Sequence, residues 1–229
     1  MQIPKHIGII LDGNRRYAEK SNIDSLKGHS KGYENVKNLL DWCKEFKIKE
    51  LTLYTFSTEN FNRSKNEIKY LMKLFIKAFT ELKTNKNLKD IKINIIGRIN
   101  MFPKKLQKIM YEIMEITKNH TKFIVNFAMG YGGRTEIIDA TKKIITHIKN
   151  NELKAEDINE EIFKENLYTK SEPDLIIRTS ESRLSGFLTF QSAYSELIFL
   201  PNKLWPEFTK KDFAECLKEY SRRQRRFGA

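Results

Sequence analysis

The sequence predicts an α/β fold: a single domain over residues 1–229, with a mostly parallel six-stranded sheet flanked by helices. Short runs rich in Ile, Val, Leu and Phe do not alternate with polar residues, as in strands buried on both faces. Helical patterns separate these runs, and parallel strands need such crossover connections. A chain of 229 residues with 40% hydrophobic content can bury one sizeable core but hardly two.

The predicted elements alternate along the chain. Strands are expected at residues 7–11, 51–56, 91–96, 123–129, 175–177 and 196–200. Helical patterns occupy residues 15–47 with a break at 28–32, the segment after Ser64, residues 103–118, 135–150 and 160–168, and the segment after Thr209. Ser64 and Glu67 have the spacing of a capping box, which predicts the start of the third helix.

A polar cluster follows each of the first five predicted strands. These clusters are Asp12-Gly13-Asn14-Arg15-Arg16, Ser57-Thr58-Glu59-Asn60, Gly97-Arg98, Tyr131-Gly132-Gly133-Arg134 and Arg178-Thr179-Ser180. Ligands of open α/β sheets bind beyond the carboxyl ends of the strands. We therefore expect the clusters to converge on one site that contains arginine, asparagine, serine, glycine and a few carboxylates.

Two of the clusters contain residue types that bind phosphate. They are Asp12-Gly13-Asn14 with Arg15 and Arg16, and Arg178 with Arg183 and Ser185. Glycine permits close approach of a ligand to backbone N–H groups, and guanidinium groups form bidentate contacts with phosphate. Neither GxxxxGK[ST] nor GxGxxG occurs in the chain, so a nucleotide site of the P-loop or Rossmann kind is unsupported.

Three ionisable residues are candidates for chemistry at this site. Asp12 and Glu196 lie at the ends of different strands, and hard carboxylate oxygens facing phosphates suit Mg²⁺. His29 lies between two glycines in a basic segment, where it would donate to phosphate, shuttle a proton or serve a structural role. Cys43 and Cys216 have no neighbouring Cys or His at ligand spacing and are expected to be core thiols.

The helix after Ser64 is apolar on more than one face, which a surface helix does not need. Its apolar residues include Ile68, Leu71, Met72, Leu74, Phe75, Ile76, Ala78 and Phe79. One interpretation is packing against both the sheet and a partner subunit. The other is that part of this surface lines a cavity for a long hydrocarbon.

The formal net charge of +13 predicts a polyanionic partner, which would be nucleic acid, an acidic membrane or a phosphorylated small molecule. No apolar stretch approaches the roughly 20 residues that span a bilayer. The first predicted strand begins within the first seven residues and leaves no room for a signal peptide, so a cytoplasmic location is expected. The arginine-rich carboxyl terminus would bind nucleic acid or close over an anionic ligand.

Taken together, the motifs identify a family. They are HIGIILDGNRRYA at 6–18, GHSKG at 28–32, LTLYTFSTENFNRSKNE at 51–67, YGGR at 131–134, DLIIRTS at 174–180, RLSGF at 183–187, FQSAYSEL at 190–197 and RRFG at 225–228. In this order they resemble the cis-prenyltransferases, the family of undecaprenyl diphosphate synthase and dehydrodolichyl diphosphate synthase. The resemblance covers nearly the whole chain.

The resemblance implies an activity and an assembly. The activity is Mg²⁺-dependent extension of an allylic prenyl diphosphate by isopentenyl diphosphate with cis geometry, in a hydrophobic tunnel between sheet and helices. The implied assembly is a dimer, and the RRFG tail favours a homodimer. No insertion occurs between Leu71 and Gly97, so the expected product is of medium length, up to the undecaprenyl class. Such a product is compatible with transient membrane contact.

The resemblance also implies roles for individual residues. Asp12 holds metal and diphosphate, Asn14, Asn60 and His29 belong to the catalytic set, and Glu196 relates to metal and subunit contacts. Around the allylic diphosphate it places Gly13, Asn14, Arg15, Arg16 and His29. Around isopentenyl diphosphate it places Arg178, Arg183 and Ser185. The segment that orders the substrates is implied to contain Ser57, Glu59, Asn60 and Arg63. The tail that completes a partner's site is implied to contain Arg226, Phe227 and Gly228. The general base stays open among Asn14, His29 and the released diphosphate.

Three alternatives remain at this point. One residue fewer than usual separates Arg178 from Arg183, which keeps open a short-chain or irregular prenyltransferase and a non-catalytic partner subunit. The third is a basic RNA-binding protein, which would need exposed aromatic residues for base stacking. The aromatic residues here fall mostly on apolar faces, so nucleic acid is not the expected partner.

Overall fold

Six parallel strands form one sheet in the computed structural model, which describes residues 2–84 and 90–223. The strands are β1 (His6–Ile10), β2 (Glu50–Ser57), β3 (Ile91–Ile96), β4 (Phe123–Tyr131), β5 (Leu175–Thr179) and β6 (Glu196–Leu200). Their spatial order is β3-β4-β2-β1-β5-β6, and every neighbouring pair is parallel. The predicted fold class is confirmed, and the carboxyl ends of all six strands share one edge of the sheet.

Helices cover both faces of the sheet. They are α1 (Asn14–Lys20), α2 (Ser25–Glu45), α3 (Lys65–Thr84), α4 (Lys104–Thr117), α5 (Gly133–Lys149), α6 (Glu160–Asn166) and α7 (Lys210–Arg222). A short 3₁₀ helix, Thr58–Asn62, follows β2. Within residues 2–84 and 90–223, no helix is both long enough and apolar enough to cross a bilayer.

Alternate side chains of the strands feed two apolar clusters. The larger cluster contains Ile9, Leu53 and Phe127 from the strands and packs against α2, α3, α4 and α7. The smaller cluster contains Ile10 and Tyr131, and α5 approaches it through a hydrogen bond from the Tyr131 hydroxyl to Glu136. Both faces of the central strands are therefore buried, which explains why their sequences lack polar alternation.

The break predicted at residues 28–32 is wrong, because α2 begins at Ser25 and runs through both glycines. Asp24 caps this helix, and its carboxylate accepts a hydrogen bond of 2.7 Å from the Leu26 N–H. Gly28 lies where α1 crosses α2, and a Cβ built at that position would lie 2.2 Å from the carbonyl oxygen of Asn14. The glycine serves close helix packing here rather than a turn.

Polar pairs join α2 to α3. His29 Nε2 lies 3.0 Å from Glu67 Oε1, the Ser30 and Tyr70 hydroxyls are 2.6 Å apart, and the Tyr33 hydroxyl donates to Glu81 at 2.6 Å. These contacts lie on the side of α3 that faces α2. The apolar side chains on the inner side of α3 therefore face the space above the sheet.

Replacing Gly28 by alanine should lower the free energy of unfolding by about 1–3 kcal/mol, because the added methyl group forces α1 and α2 apart. Urea unfolding of the variant measures this change. The matched control is Asn38→Ala on the exposed side of α2, which should stay within about 0.5 kcal/mol of the parent chain. Equal stability of the Gly28→Ala variant and the parent would contradict the close packing.

Candidate active site

A cavity of about 1340 Å³ lies between the sheet and helices α2 and α3. One end is polar and lies at the carboxyl ends of β1, β2 and β5. The other end reaches Ile91, the first residue of β3, at the opposite edge of the sheet. The cavity therefore runs along the height of the sheet, about 20 Å for a six-residue strand. Its volume exceeds the roughly 300–1,000 Å³ of common small-molecule pockets.

An ion pair between Asp12 and Arg178 forms the centre of the polar end. Arg178 Nη2 donates to Asp12 Oδ2 at 2.8 Å, and Arg178 Nη1 donates to Ser185 Oγ at 2.7 Å. The Arg178 side chain is only 4% exposed. Gly13, with φ of +105°, turns the chain after Asp12, and its N–H donates to Asp12 Oδ1 at 2.7 Å. The predicted convergence of the β1 and β5 clusters is thus observed.

The backbone of Asp12 is held by Thr179, from the polar cluster of β5, and by Trp205, which no sequence motif indicated. The Thr179 hydroxyl donates to the Asp12 carbonyl oxygen at 2.7 Å, and the Trp205 N–H donates to the same oxygen at 2.9 Å. Trp205 is fully buried, and its indole N–H donates to the Gly32 carbonyl. No local pattern around Trp205 indicated this role, because the contact depends on a chain separation of more than 190 residues.

Arg16 connects Asp12 with a second carboxylate. Its Nη2 lies 3.5 Å from Asp12 Oδ1 and 3.1 Å from Glu181 Oε1, while its Nη1 donates to the Ser180 carbonyl at 3.0 Å. Arg15 and Glu181 also line the cavity. Glu181 was not among the predicted site residues, although it directly follows the polar cluster of β5.

The Arg183 side chain does not join this group. Its Nη1 donates to Glu181 at 2.7 Å, its side chain is 65% exposed, and it does not line the cavity. Only its backbone takes part, because its carbonyl oxygen accepts a hydrogen bond from Arg178 Nη1. The shortened loop after Arg178 thus directs the second guanidinium group outward in this structure.

His29 lies on the α2 side of the polar end and is held by Glu67. Glu67 Oε1 also accepts a hydrogen bond of 2.9 Å from Arg63 Nη1, so the His29 Nε2–H is the donor to this carboxylate. Burial lowers the pKa of His29 below 6.5, although the hydrogen bond to Glu67 acts in the opposite direction. The ring is therefore neutral at pH 7, and its Nδ1 is an acceptor.

The predicted capping box is only half formed. The Glu67 N–H donates to Ser64 Oγ at 3.3 Å, but the Glu67 side chain turns to His29 and Arg63 instead of the helix start. The 3₁₀ segment before α3 is held by a hydrogen bond of 3.1 Å from the Ser57 N–H to Asn60 Oδ1. The cavity is lined by Ser57, Glu59, Asn60 and Arg63 from this region.

Buried polar atoms without partners gather around Asp12. Within the described ranges, these atoms include Asn14 Oδ1, Arg178 Nε and Ser180 Oγ. Leaving such an atom unsatisfied costs about 1–3 kcal/mol. Asn14 and Arg178 both line the cavity, but Asn14 Oδ1 itself points at Gly32 of α2, where a Cβ would lie 2.1 Å from it.

The structure separates Glu196 from Asp12. Glu196 begins β6 and pairs in register with Leu175 at the start of β5, whereas Asp12 follows the last residue of β1. The two carboxylates therefore lie at opposite edges of the sheet and do not share a site within one chain. Glu196 Oε2 accepts a hydrogen bond of 2.9 Å from Arg223 Nη1 instead. Arg226, Phe227 and Gly228 lie outside the described residues.

The residues near Asp12 fit a magnesium ion that binds together with a phosphate ligand. Mg²⁺ usually binds through one or two carboxylates, with substrate phosphates and water completing the shell. Asp12 provides one partly exposed carboxylate at the cavity, and Glu181 provides another across Arg16. No group of three metal-type side chains occurs in the part of the chain that the structure describes, so a cage made by protein side chains alone is not indicated there.

The far part of the cavity is apolar. Its lining includes Val36 and Leu40 from α2, Leu71, Leu74, Phe75, Ala78, Phe79 and Leu82 from α3, and Ile91 and Phe127 from the sheet. These α3 side chains are accounted for by the interpretation that part of the apolar surface of α3 lines a cavity. The charged residues Lys37, Asp41, Lys44 and Glu81 also line the cavity.

Comparisons with known proteins agree with this geometry. The family model described as putative undecaprenyl diphosphate synthase matches residues 10–228. A Methanocaldococcus jannaschii protein named tritrans,polycis-undecaprenyl-diphosphate synthase (geranylgeranyl-diphosphate specific) is 48% identical, over 99% of this chain and 83% of that protein. An isoprenyl transferase from Thermotoga maritima is 43% identical, over 100% of this chain and 98% of that protein.

Solved structures give the same result. Lavandulyl diphosphate synthase from Lavandula x intermedia, in complex with dimethylallyl diphosphate, superposes with a TM-score of 0.93 at 33% identity, covering 99% of both chains. A probable undecaprenyl diphosphate synthase from Campylobacter jejuni has a TM-score of 0.82 at 31% identity, covering both chains fully. The chain therefore belongs to the undecaprenyl diphosphate synthase family of cis-prenyltransferases, enzymes that transfer prenyl groups.

Proposed function

We propose that this chain condenses isopentenyl diphosphate units onto an allylic prenyl diphosphate with cis geometry and releases a polyprenyl diphosphate of up to the undecaprenyl class. The observation that carries the proposal is one cavity with a phosphate-type polar end and an apolar end. An amphiphilic substrate with an anionic head and a growing hydrocarbon tail matches both parts. The proposal accounts for the arginine residues that gather at one end of the cavity and for the α3 side chains that line the other end.

In this proposal two diphosphates bind side by side at the polar end. Gly13, Asn14, Arg15, Arg16 and His29 surround the allylic diphosphate, and Arg178 with Ser185 binds isopentenyl diphosphate. The Arg183 guanidinium would have to turn inward from Glu181 to take part. Guanidinium groups stabilise the charge that develops on the departing diphosphate, and they do so most effectively where water is excluded.

A new carbon–carbon bond forms as the allylic C–O bond breaks, and one proton leaves the isopentenyl unit. The apolar lining of α3 and the sheet would shelter the allylic cation from water. Asn14, His29 and the departing diphosphate remain candidates for the base. Because burial lowers the pKa of His29 and its Nε2–H donates to Glu67, the neutral ring can receive a proton at Nδ1.

Mg²⁺ is the proposed cofactor, held by Asp12 and diphosphate oxygens. When bound, it would neutralise diphosphate charge and so favour departure of the leaving group. Glu181, which Arg16 connects to Asp12, is a second carboxylate that lines the cavity. Glu196 could contribute only from a different subunit, because it lies at the other edge of its own sheet.

Several similar proteins carry names that specify undecaprenyl products and geranylgeranyl diphosphate as the specific substrate. We propose the same primer and product class for this chain. A cavity that runs to the start of β3 favours a long product over the short-chain or irregular alternative, for which the likeness to lavandulyl diphosphate synthase is the specific observation. A homodimer and a cytoplasmic location stay predictions.

Asp12→Asn should reduce kcat at least about 100-fold, because it removes the negative charge that pairs with Arg178 and is proposed to bind the metal. Incorporation of labelled isopentenyl diphosphate with geranylgeranyl diphosphate and Mg²⁺ measures the loss. The control is Asp157→Asn at an exposed position outside the cavity, and thermal unfolding verifies that both variants are folded. A folded Asp12→Asn variant with parental kcat would refute the assigned role.

Acidification should destabilise the unliganded chain through His29. The pKa of His29 in the folded chain lies below its value of about 6.5 in the unfolded chain. Between these two pKa values the unfolded state binds more protons than the folded state. The free energy of unfolding therefore falls as the pH drops below about 6.5. His29→Gln keeps an amide donor for Glu67 but does not titrate. Urea unfolding at about pH 7.5 and about pH 5.5 should show a smaller loss for this variant than for the parent. An equal loss of stability in the parent and in the His29→Gln variant would show that His29 is not the titrating group.

Ala78→Leu should shift the products to shorter chains, because Ala78 lines the cavity on the inner face of α3. Chromatography of the dephosphorylated products measures the distribution. The matched control is Thr80→Leu on the exposed face of the same helix, which should leave chain length unchanged. Parental products from a folded Ala78→Leu variant, or dolichol-length products from the parent, would contradict the proposed path of the tail.

A further inference from the structure

The outer face of α3 carries a row of four lysines at a spacing of four residues. Lys65, Lys69, Lys73 and Lys77 are all exposed, and we call them the α3 lysine row. In the described part of the chain, Lys65, Lys69 and Lys73 form no ion pair, and the Lys77 Nζ lies 3.7 Å from Glu81 Oε1. Like charges at this spacing destabilise a helix, so the row is unfavourable for α3 itself.

The acidic residues of α3 neutralise this row only at Lys77. Its carboxylates are Glu67 and Glu81. Glu67 binds His29 and Arg63, and Glu81 accepts from the Tyr33 hydroxyl, so both face α2. Single lysines of the neighbouring helices do pair, since Lys37 of α2 pairs with Glu34 and Lys108 of α4 lies 4.0 Å from Glu112. Among the residues that the structure describes, Lys65, Lys69 and Lys73 therefore carry positive charge without an ion-pair partner, and Lys77 shares Glu81 with the Tyr33 hydroxyl.

The opposite face of the same helix lines the cavity. Leu71, Leu74, Phe75, Ala78 and Phe79 lie there, and a helix is about 10–12 Å across with its side chains. Any anionic surface that binds the α3 lysine row thus comes within one helix diameter of the space proposed for the prenyl chain. The exposed positions of α3 hold lysine, asparagine and threonine without an aromatic residue, so the face offers no stacking platform for RNA bases.

We propose that the α3 lysine row docks this protein on an anionic phospholipid membrane, with the cavity-covering helix against the bilayer. The inference rests on the proposed function for its purpose, because a polyprenyl product needs an apolar destination close to the cavity. The docking itself rests on charge: lysines near an anionic leaflet each strengthen binding, and the attraction decreases with salt.

The test is sedimentation of the full chain with vesicles of equal parts phosphatidylglycerol and phosphatidylcholine, compared with vesicles of phosphatidylcholine alone. The parent should bind the anionic vesicles and not the neutral ones. Changing Lys65, Lys69, Lys73 and Lys77 to glutamine should weaken binding at least about 100-fold, since each lysine near the surface is worth about fivefold. In this fourfold variant, turnover in detergent solution and the melting temperature should equal or exceed those of the parent.

The matched control replaces four other exposed lysines, Lys142, Lys149, Lys154 and Lys170, by glutamine. It changes the net charge equally, and its vesicle binding should stay within the same order of magnitude as the parent. Equal weakening in both variants, parental binding by the row variant, or a parent that ignores anionic vesicles would each overturn the proposal. Row-dependent binding of poly(U) RNA without vesicle binding would assign the surface to RNA. A chain that docks but shows no turnover in detergent would refute the proposed function and leave the docking intact.

Discussion

The candidate site depends on the ion pair between Asp12 and Arg178. The two residues are 166 positions apart, and they meet because β1 and β5 are neighbours in the sheet and end at the same edge. A guanidinium group that is 96% buried requires an anionic partner, since an unpaired buried charge is strongly destabilising. The pair therefore fixes the ends of both strands relative to each other. It also holds Ser185 through the second terminal nitrogen of the arginine.

The parallel sheet separates polar from apolar chemistry within one cavity. Asp12 follows the end of β1, Ser57 ends β2 and Arg178 is the penultimate residue of β5, so all three lie at the carboxyl ends of parallel strands. Towards the other edge the cavity is bordered by strand and helix side chains such as Phe127 and Phe79, which lie 5.3 Å apart between ring centroids. The common direction of the strands therefore places the polar lining at the end of the cavity that would hold a head group and the apolar lining at the end that would hold a tail, without a second domain.

The strands and the convergence of four of the five polar clusters were predictable, because buried parallel strands have continuous apolar runs and share the direction of their ends. The prediction is wrong for Gly97-Arg98, which does not line the cavity, because Arg98 binds Asp139 of α5 instead. The break at residues 28–32 was also predicted wrongly, since a glycine in a turn and one at a helix crossing look alike in sequence. Glu67 has the spacing of a capping residue, and only the position of His29 on α2 shows its other role. The separation of Glu196 from Asp12 and the outward turn of Arg183 depend on register and loop length, which local patterns do not encode.

The residues of helix α3 have different roles that depend on the side of the helix on which they lie. Its apolar residues face the cavity, its side towards α2 presents Glu67, Tyr70 and Glu81, and its outer face presents the α3 lysine row. Three polar pairs join α2 to α3, and Leu71, Met72, Phe75 and Phe79 are at the same time buried in the larger apolar cluster. Polar contacts towards α2 and apolar contacts towards the sheet therefore act together to hold α3 as one wall of the cavity, since Phe79 packs on Phe127 while Glu67 binds His29.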